Sequence, residues 1–302
     1  MSLRTALLSL LALLASAAAG PAVAAPGVLP ADTLVGSTRG YPPALYTVFS
    51  TDPSMWRGQV TVHGMRANEQ IMAIDFRPLD GVLYAIGSTG HLYTIDQAGK
   101  ATEVSPTVLP ITGSDVGMDI SATDTITLVN TDGTNLSVSP ITGVPTAGTA
   151  LSYLPLDPNF GTTPKVEALA TAAGGVMYGI DKGLGALVTI PVPANGAMTT
   201  IGALGIAPES PIGFDISPTG TAYVSFAPVG GPGDTKFLYT VNLATGAATL
   251  VGQLYRGAGD IAVAPAGYTL PPVISINSAG SPDLASLALL LGGAAFARRR
   301  RR

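Results

Sequence analysis

The amino-acid sequence predicts an all-β fold, a β-propeller of five blades that each contain four strands. Short alternating or β-branched runs, such as residues 71–76 and 82–86, are closed by turns rich in glycine and aspartate. Long segments with helical periodicity are absent from the sequence. The strand pattern returns after about 45 residues, a length that is typical of a four-stranded propeller blade.

The repeat is marked by an apolar segment that contains an acidic residue. Clear copies lie at residues 73–76, 117–120, 213–216 and 259–261, with a weaker copy at 166–170. A second strand follows each copy except the one at 259–261, and third and fourth strands are clearest at residues 238–243 and 248–252. Counting the copies as innermost strands predicts five blades.

The two ends of the predicted domain together supply the strands of one blade. The last copy has its first strand but little after it, whereas residues 44–49 and 59–63 supply strands before the first copy. A blade built from both ends would close the ring and remove a free sheet edge. We therefore expect the propeller at residues 31–265 and a flexible linker at 266–283. A large β-sandwich is the alternative architecture.

The N-terminal residues 1–25 have the parts of a secretory signal peptide. Arg4 precedes an apolar run, and small residues before Pro26 predict cleavage after Ala24 or Ala25. At the other end, residues 284–302 combine a short apolar run with an unbroken arginine block. This order is typical of a segment that stops in the inner membrane with its arginines in the cytoplasm.

The residues around this tail are similar to a known sorting signal. Ser281, Pro282 and Asp283 precede an alanine- and leucine-rich run that ends at Arg298, Arg299 and Arg300. The layout resembles the PEP-CTERM tails that exosortase-type membrane proteases process. Asp283 stands where that pattern has glutamate, and Leu284 where it has the second proline. The resemblance implies a membrane sorting protease as a partner; the alternative is an anchor that is never cut.

The central repeats also resemble a family. Asp75-Phe76-Arg77-Pro78 with the following Leu-Tyr-Ala, the Gly-Phe-Asp-Ile at 213–216, and the Leu-Tyr and Thr-Gly-Ala-Ala-Thr of 238–249 match an uncharacterised bacterial family of presumed β-propellers. Ser137 departs from its pattern, which usually has arginine there. The resemblance implies the propeller fold and supplies no activity or substrate.

Composition excludes several classes of function. The chain has no cysteine, hence no disulfide, thiol nucleophile or thiolate metal site. Six of its 15 basic residues lie in the two ends, which leaves 9 against 19 acidic residues and a domain charge of about −10. Such a surface repels phosphate backbones, so we expect no nucleic-acid partner.

The recurring acids Asp75, Asp119, Asp215 and Asp260 are the candidate site residues. As members of innermost strands they could converge on the channel and bind a hard cation such as calcium, or act as an acid/base pair on a sugar. The alternative is structural: each carboxylate accepts hydrogen bonds and fixes one blade to the next. Repetition favours the structural interpretation, because a catalytic site seldom needs one residue type in every blade.

Other chemical motifs are weak. Residues 130–135 superficially resemble a calcium loop, but a type I′ hairpin turn is the preferred interpretation. His63 and His91 are too few and too far apart in sequence for a histidine metal motif. No nucleophile elbow, phosphate-binding loop or dinucleotide motif occurs.

We therefore expect an exported propeller in the periplasm, at the outer surface or in the extracellular matrix, transiently anchored in the inner membrane. It would act as a binding or structural module, without a cofactor unless calcium binds. Its expected partners are the export machinery, the sorting protease and an extracellular polysaccharide or protein. The alternative function is a carbohydrate-active hydrolase or lyase that uses the inner-strand carboxylates.

Overall fold

Five antiparallel sheets form the five blades of a β-propeller, as the sequence predicts. The computed structural model describes residues 32–111, 115–232 and 235–271. Strands are numbered in chain order. The first three are β1 (Thr33–Ser37), β2 (Ala44–Phe49) and β3 (Asp52–Thr61). Blade 1 contains β4 (Ile71–Phe76), β5 (Leu83–Gly87), β6 (Leu92–Ile95) and β7 (Ala101–Glu103). Blade 2 contains β8 (Val116–Ile120), β9 (Ile126–Asn130), β10 (Asn135–Val138) and β11 (Pro145–Ala147).

The second half of the chain builds the remaining blades. Blade 3 contains β13 (Val166–Thr171), β14 (Met177–Asp181), β15 (Ala186–Val192) and β16 (Ala197–Ala203). A fifth strand, β12 (Ser152–Tyr153), joins β16 in parallel, and a single 3-10 turn (Pro193–Asn195) follows β15. Blade 4 contains β17 (Pro208–Ile216), β18 (Ala222–Pro228), β19 (Phe237–Val241) and β20 (Ala248–Gln253).

Both ends of the domain build blade 5, in the order β21 (Ile261–Val263), β1, β2 and β3. β21 pairs antiparallel with β1, and Val35 lies opposite Ala262 in the register. The predicted closure of the ring by N- and C-terminal strands is confirmed, and a β-sandwich is excluded. The strand expected at residues 59–63 overlaps only the last three residues of β3, which begins seven residues earlier, at Asp52, and ends at Thr61.

The hydrophobic core is divided among the junctions between neighbouring blades. Each of the five junctions has its own cluster of buried side chains. Representative pairs are Ile86 and Leu128 between blades 1 and 2, Val129 and Leu169 between 2 and 3, Ile180 and Phe214 between 3 and 4, Leu238 and Leu34 between 4 and 5, and Leu45 and Ile74 between 5 and 1. Each such burial contributes about 1.5–3 kcal/mol, so the blades are stabilised by their neighbours rather than singly.

The hairpin at residues 130–134 is not the predicted type I′ turn. Gly133 has φ +92°, but Asn68 and Asp124 are the only described non-glycine residues with positive φ, so Asp132 has a negative one. A type I′ turn requires positive φ at both central residues. The N–H of Gly133 donates to the carbonyl of Asn130 at 3.2 Å, which makes this a type I turn followed by a left-handed glycine.

The predicted ends lie outside the described residues. These comprise the signal peptide with Ala24 and Ala25, and the tail with Ser281, Pro282, Asp283, Arg298, Arg299 and Arg300. Within residues 32–111, 115–232 and 235–271, no helix has the length and apolar character needed to cross a membrane.

Candidate functional site

The predicted acids lie on or next to the innermost strands, around the central axis. Asp75, Asp119 and Asp215 share one position, the next-to-last residue of β4, β8 and β17. Asp260 immediately precedes β21. The structure therefore brings three of the four acids to one mouth of the channel, where the innermost strands end, and places the fourth deeper inside.

Three of these carboxylates, those of Asp75, Asp215 and Asp260, bridge their own strand to the next blade in the same way. Asp75 Oδ1 accepts the N–H of Phe76 at 2.7 Å, and its Oδ2 accepts the N–H of Ile120 in blade 2 at 2.6 Å. Asp215 repeats the arrangement with the N–H of Ile216 and, in blade 5, that of Val263.

Asp119 directs both of its oxygens at blade 3. Its Oδ1 accepts the N–H of Thr171 at 2.6 Å, and its Oδ2 accepts the Thr171 hydroxyl at 2.7 Å. Asp260 connects blade 5 to blade 1, because its Oδ2 accepts the N–H of Ile74 at 2.9 Å. Its Oδ1 accepts the N–H of Ile261 at 2.8 Å.

Blade 3 makes its connection with a glutamate that the sequence analysis did not single out. Glu167 lies at the opposite end of its strand, buried to 1% exposure. Its Oε1 accepts the N–H of Ile212 in blade 4 at 3.1 Å, and its Oε2 accepts the hydroxyl of Ser210 at 2.8 Å. The signal in the sequence was the weak fifth repeat, which carries this acid beside Val166.

Together these contacts form a closed set, here called the acid ring. Its members are Asp75, Asp119, Glu167, Asp215 and Asp260, each accepting a backbone N–H from the innermost strand of the next blade. Every one of the five junctions is crossed once. The contacts are those that the structural interpretation of the repeated acids requires, while cation binding or catalysis by the same acids stays a prediction.

The glycines of the repeat explain how the carboxylates reach their partners. A Cβ atom on Gly117 would lie 3.0 Å from the backbone of Ala168, and one on Gly213 would lie 2.6 Å from the backbone nitrogen of Ile261. Glycine thus lets neighbouring innermost strands approach closely. The recurring Gly-x-Asp pattern is a spacing device followed by a hydrogen-bond acceptor.

Burial raises the pKa values of the ring. Desolvation is the largest cause for all five members, and it raises the pKa of Asp119 to about 6, of Asp215 to about 7 and of Asp260 to about 8. Asp75 is raised well above its usual pKa, first by burial and then by repulsion from Asp215 and Asp119. Hydrogen bonds from backbone N–H groups act in the opposite direction. The ring therefore binds protons more tightly than the same residues do in the unfolded chain.

Two cavities open at the channel mouth that the three aspartates share. The first, of about 640 Å³, is lined by Asp75, Asp119 and Asp215. The second, of about 710 Å³, is lined by hydroxyl, glycine and apolar residues with no charged side chain. They share Ile120 and Thr171 among their lining residues, so they form one continuous concave surface.

An arginine forms ion pairs at the edge of this surface. Arg77 is buried, and its Nε and Nη2 donate to the two oxygens of Asp124 at 2.6 and 2.7 Å. Its Nη1 donates to Asp80 at 2.7 Å. The guanidinium lowers the pKa of Asp124 and joins the turns of blades 1 and 2. The sequence did not predict this contact, because Arg77 stands out there only as part of the family motif.

The described residues do not assemble a metal centre. Within residues 32–111, 115–232 and 235–271, no group of three or more histidines, cysteines or acids has the geometry to hold a metal ion. Asn130 and Asp132, in the loop that resembles a calcium site, accept backbone N–H groups of their own turn. His91 is buried against the hydroxyl of Thr89, at 2.7 Å from its Nδ1.

Comparison with known proteins places the domain in a family. The model of a domain of unknown function, DUF4394, matches residues 44–264. No curated protein matches the chain at a significant level.

Solved structures resemble the chain in fold. A Bacteroides thetaiotaomicron protein of unknown function has a TM-score of 0.51 and 15% identity over 81% of this chain, which spans 61% of that protein's length. Virginiamycin B lyase from Staphylococcus aureus has a TM-score of 0.42 and 12% identity, over 74% of this chain and 72% of its own. Glutaminyl cyclase from Myxococcus xanthus has a TM-score of 0.45 and 16% identity, over 63% of this chain and 79% of its own. At these identities the similarity concerns the fold alone.

Proposed function

The chain belongs to the DUF4394 family of domains of unknown function, and from its site we propose that it is an exported, non-catalytic module that binds an uncharged, hydroxyl-rich ligand. A segment of neutral extracellular polysaccharide fits this description. The binding surface would be the concave face at the channel mouth. The observation that carries the proposal is the acid ring: its carboxylates are engaged with backbone N–H groups and leave recognition to the neutral cavity beside them.

The lining of the second cavity supports a neutral ligand. The hydroxyl-bearing residues Ser121, Thr123, Thr125 and Ser137 line it, and no charged residue does. A charged ligand would lose its hydration there without gaining an opposite charge. An anion would also be repelled by a domain of about −10 net charge. Hydroxyl groups on both sides can exchange hydrogen bonds without that cost.

The alternative, a hydrolase or lyase, rests on one observation. Three acids with raised pKa values line the first cavity, and such values are frequent among catalytic groups. Each of their oxygens, however, already accepts a hydrogen bond within the ring or its own strand. A glycosidase needs two carboxyl groups that are directed at the substrate.

A titration with neutral and charged glycans tests the proposal. The purified full chain would be titrated calorimetrically with cello-, malto- and laminari-oligosaccharides, and with an alginate oligosaccharide as the anionic comparator. We expect binding to a neutral glycan, weakened at least about tenfold by Ser137→Arg, which puts a long cation into the cavity. Leu156→Arg adds the same charge at a fully exposed position and serves as the matched control.

The outcomes separate the candidates. Binding to no neutral glycan, or equal affinity in the two arginine variants, contradicts the proposed surface. Shortened or unsaturated products that disappear with Asp119→Asn would establish the enzyme instead.

Export is tested separately. Mass spectrometry of the native protein would show an N-terminus after Ala24 or Ala25 if the leader is removed, and a shortened C-terminus if the tail is processed. Recovery of the intact chain from the cytoplasm would contradict export.

A further inference from the structure

An aromatic and cationic surface lies far from the channel, where blades 4 and 5 meet at the outer rim. We call it the rim patch and define it as Phe49, Met55, Trp56, Arg57, Tyr255 and Arg256. Trp56 and Tyr255 stack with ring centroids 5.0 Å apart and planes at 5°. Met55 is 51% exposed and Tyr255 38% exposed.

Both arginines of the patch lie against aromatic rings. Arg57 covers the ring of Phe49 at 4.6 Å, and Arg256 lies 5.8 Å from the centre of the Tyr255 ring. Such contacts orient the guanidinium groups while leaving them in solvent. The patch thus presents apolar ring edges beside exposed positive charge.

This composition differs from the rest of the surface. The other three arginines of the described residues, Arg39, Arg66 and Arg77, each form an ion pair of 3.0 Å or shorter with a neighbouring acid. Among the described residues, Asp52 is the acid that pairs with the patch, at 3.5 Å from Arg57 and with both side chains well exposed. Exposed pairs of this length hold their charges weakly. The rim patch is therefore locally cationic in an acidic domain.

The last described residue lies against β3, the strand that carries most of the patch. The carbonyl of Pro271, the last described residue, accepts the N–H of Gln59 at 3.2 Å, two residues along β3 from Arg57. Residues 272–283 then separate it from the apolar run that begins at Leu284. Twelve residues span at most about 40 Å, which limits the distance between Pro271 and the start of that run.

We propose that the rim patch rests on the surface of an anionic lipid bilayer. Trp56 and Tyr255 would lie at the level of the lipid headgroups, where amphipathic rings are enriched, and Arg57 and Arg256 would contact lipid phosphates. The link to the apolar run favours a bilayer over a polysaccharide or a protein, because insertion of that run would keep Pro271, which lies against β3, within about 40 Å of the membrane. The inference rests on the proposed export and membrane anchoring.

The sole tryptophan and the absence of cysteine make the test direct. The full chain is added to vesicles of phosphatidylcholine with or without phosphatidylglycerol, and quenching of Trp56 by brominated lipid is measured. We expect quenching in the anionic vesicles. The double variant Arg57→Gln/Arg256→Gln should need about 30-fold more anionic lipid for the same quenching, at about fivefold for each arginine. Asp52→Asn should need less lipid than the wild type, and Arg66→Gln, which removes a cation from blade 1, should behave as the wild type.

An environment-sensitive dye on Ala288→Cys reports insertion of the tail in the same sample. An inserted dye with unquenched Trp56 overturns the rim contact and leaves the anchor intact. Quenched Trp56 with an uninserted dye supports the rim contact and contradicts the anchor. Trp56 quenching that is the same in the wild type and the double arginine variant overturns the inference. So does the absence of lipid quenching when a second copy of the chain or a polysaccharide protects Trp56.

Discussion

Asp260 closes the acid ring, and its removal is the sharpest test of what the ring does. The carboxylate receives the N–H of Ile74 from blade 1 and that of Ile261 from its own strand. Asp260→Ala leaves both donors buried without an acceptor. Asp260→Asn keeps one carbonyl oxygen, so one of the two donors then faces an amide NH2 group.

The expected cost follows from these two contacts. A buried N–H that loses its acceptor costs about 1–3 kcal/mol, so Asp260→Ala should lower the free energy of unfolding by about 2–6 kcal/mol and Asp260→Asn by about half as much. A domain of this size has a total stability of about 5–15 kcal/mol and loses about 2–4 °C in Tm for each kcal/mol. The alanine variant should therefore melt about 4–24 °C below the wild type.

Thermal unfolding followed by circular dichroism, together with urea titration, measures both variants. Glu209→Ala removes an exposed carboxylate at the start of β17 in blade 4 and should change stability by less than about 0.5 kcal/mol. If Asp260→Ala unfolds within that margin of the wild type, the ring does not hold the blades together and the reasoning is refuted.

Two further predictions concern the ring. Because burial raises the native pKa values of Asp119, Asp215 and Asp260 above that of unfolded aspartate, their contribution to stability is full below about pH 4 and is lost as pH rises through 6 to 8. Urea titration should thus give a free energy of unfolding at pH 5 at least about 1.4 kcal/mol above that at pH 8.5; equal values would contradict the raised pKa values. Gly213→Ala should destabilise by about 2–3 kcal/mol, because its Cβ would meet the blade 5 backbone at 2.6 Å. Gly133→Ala meets no atom within 4 Å and should cost about 1 kcal/mol for its positive φ alone, so equal Tm losses in the two variants would refute the close-approach argument.

Much of the fold could be predicted from the sequence because each blade repeats the same local sequence pattern. The apolar segments that contain an acidic residue mark the innermost strands, and residues 44–49 were correctly predicted as a strand that completes another blade. The repeat period determined the blade count because every blade contains one such segment. Register within the sheets was less accessible: β3 and β17 carry bulges and extend well beyond the predicted segments.

The site was predicted less completely, for reasons visible in particular residues. Glu167 was treated only as part of a weak repeat because its acid lies at the other end of β13, at the register shift between Val166 and Ala168. The contact of Arg77 depends on Asp124, which is 47 residues away in sequence. Asp124 has a positive φ, which no local sequence pattern predicted. The rim patch joins Trp56 to Tyr255, nearly 200 residues apart, and only the closure of the ring brings them into contact.

That closure also constrains how the chain becomes a propeller. β1 is synthesised before the other strands of the propeller, and its partner β21 follows more than two hundred residues later. Until then the first strands present an unpaired edge, and the inner side of blade 1 lacks the neighbour that covers it. Assembly must wait for the final segment, so a truncated product would lack a stable intermediate ring and would be exposed to aggregation or proteolysis. The pairing of β21 with β1 thus makes a stable native state available only to chains whose translation has run through β21.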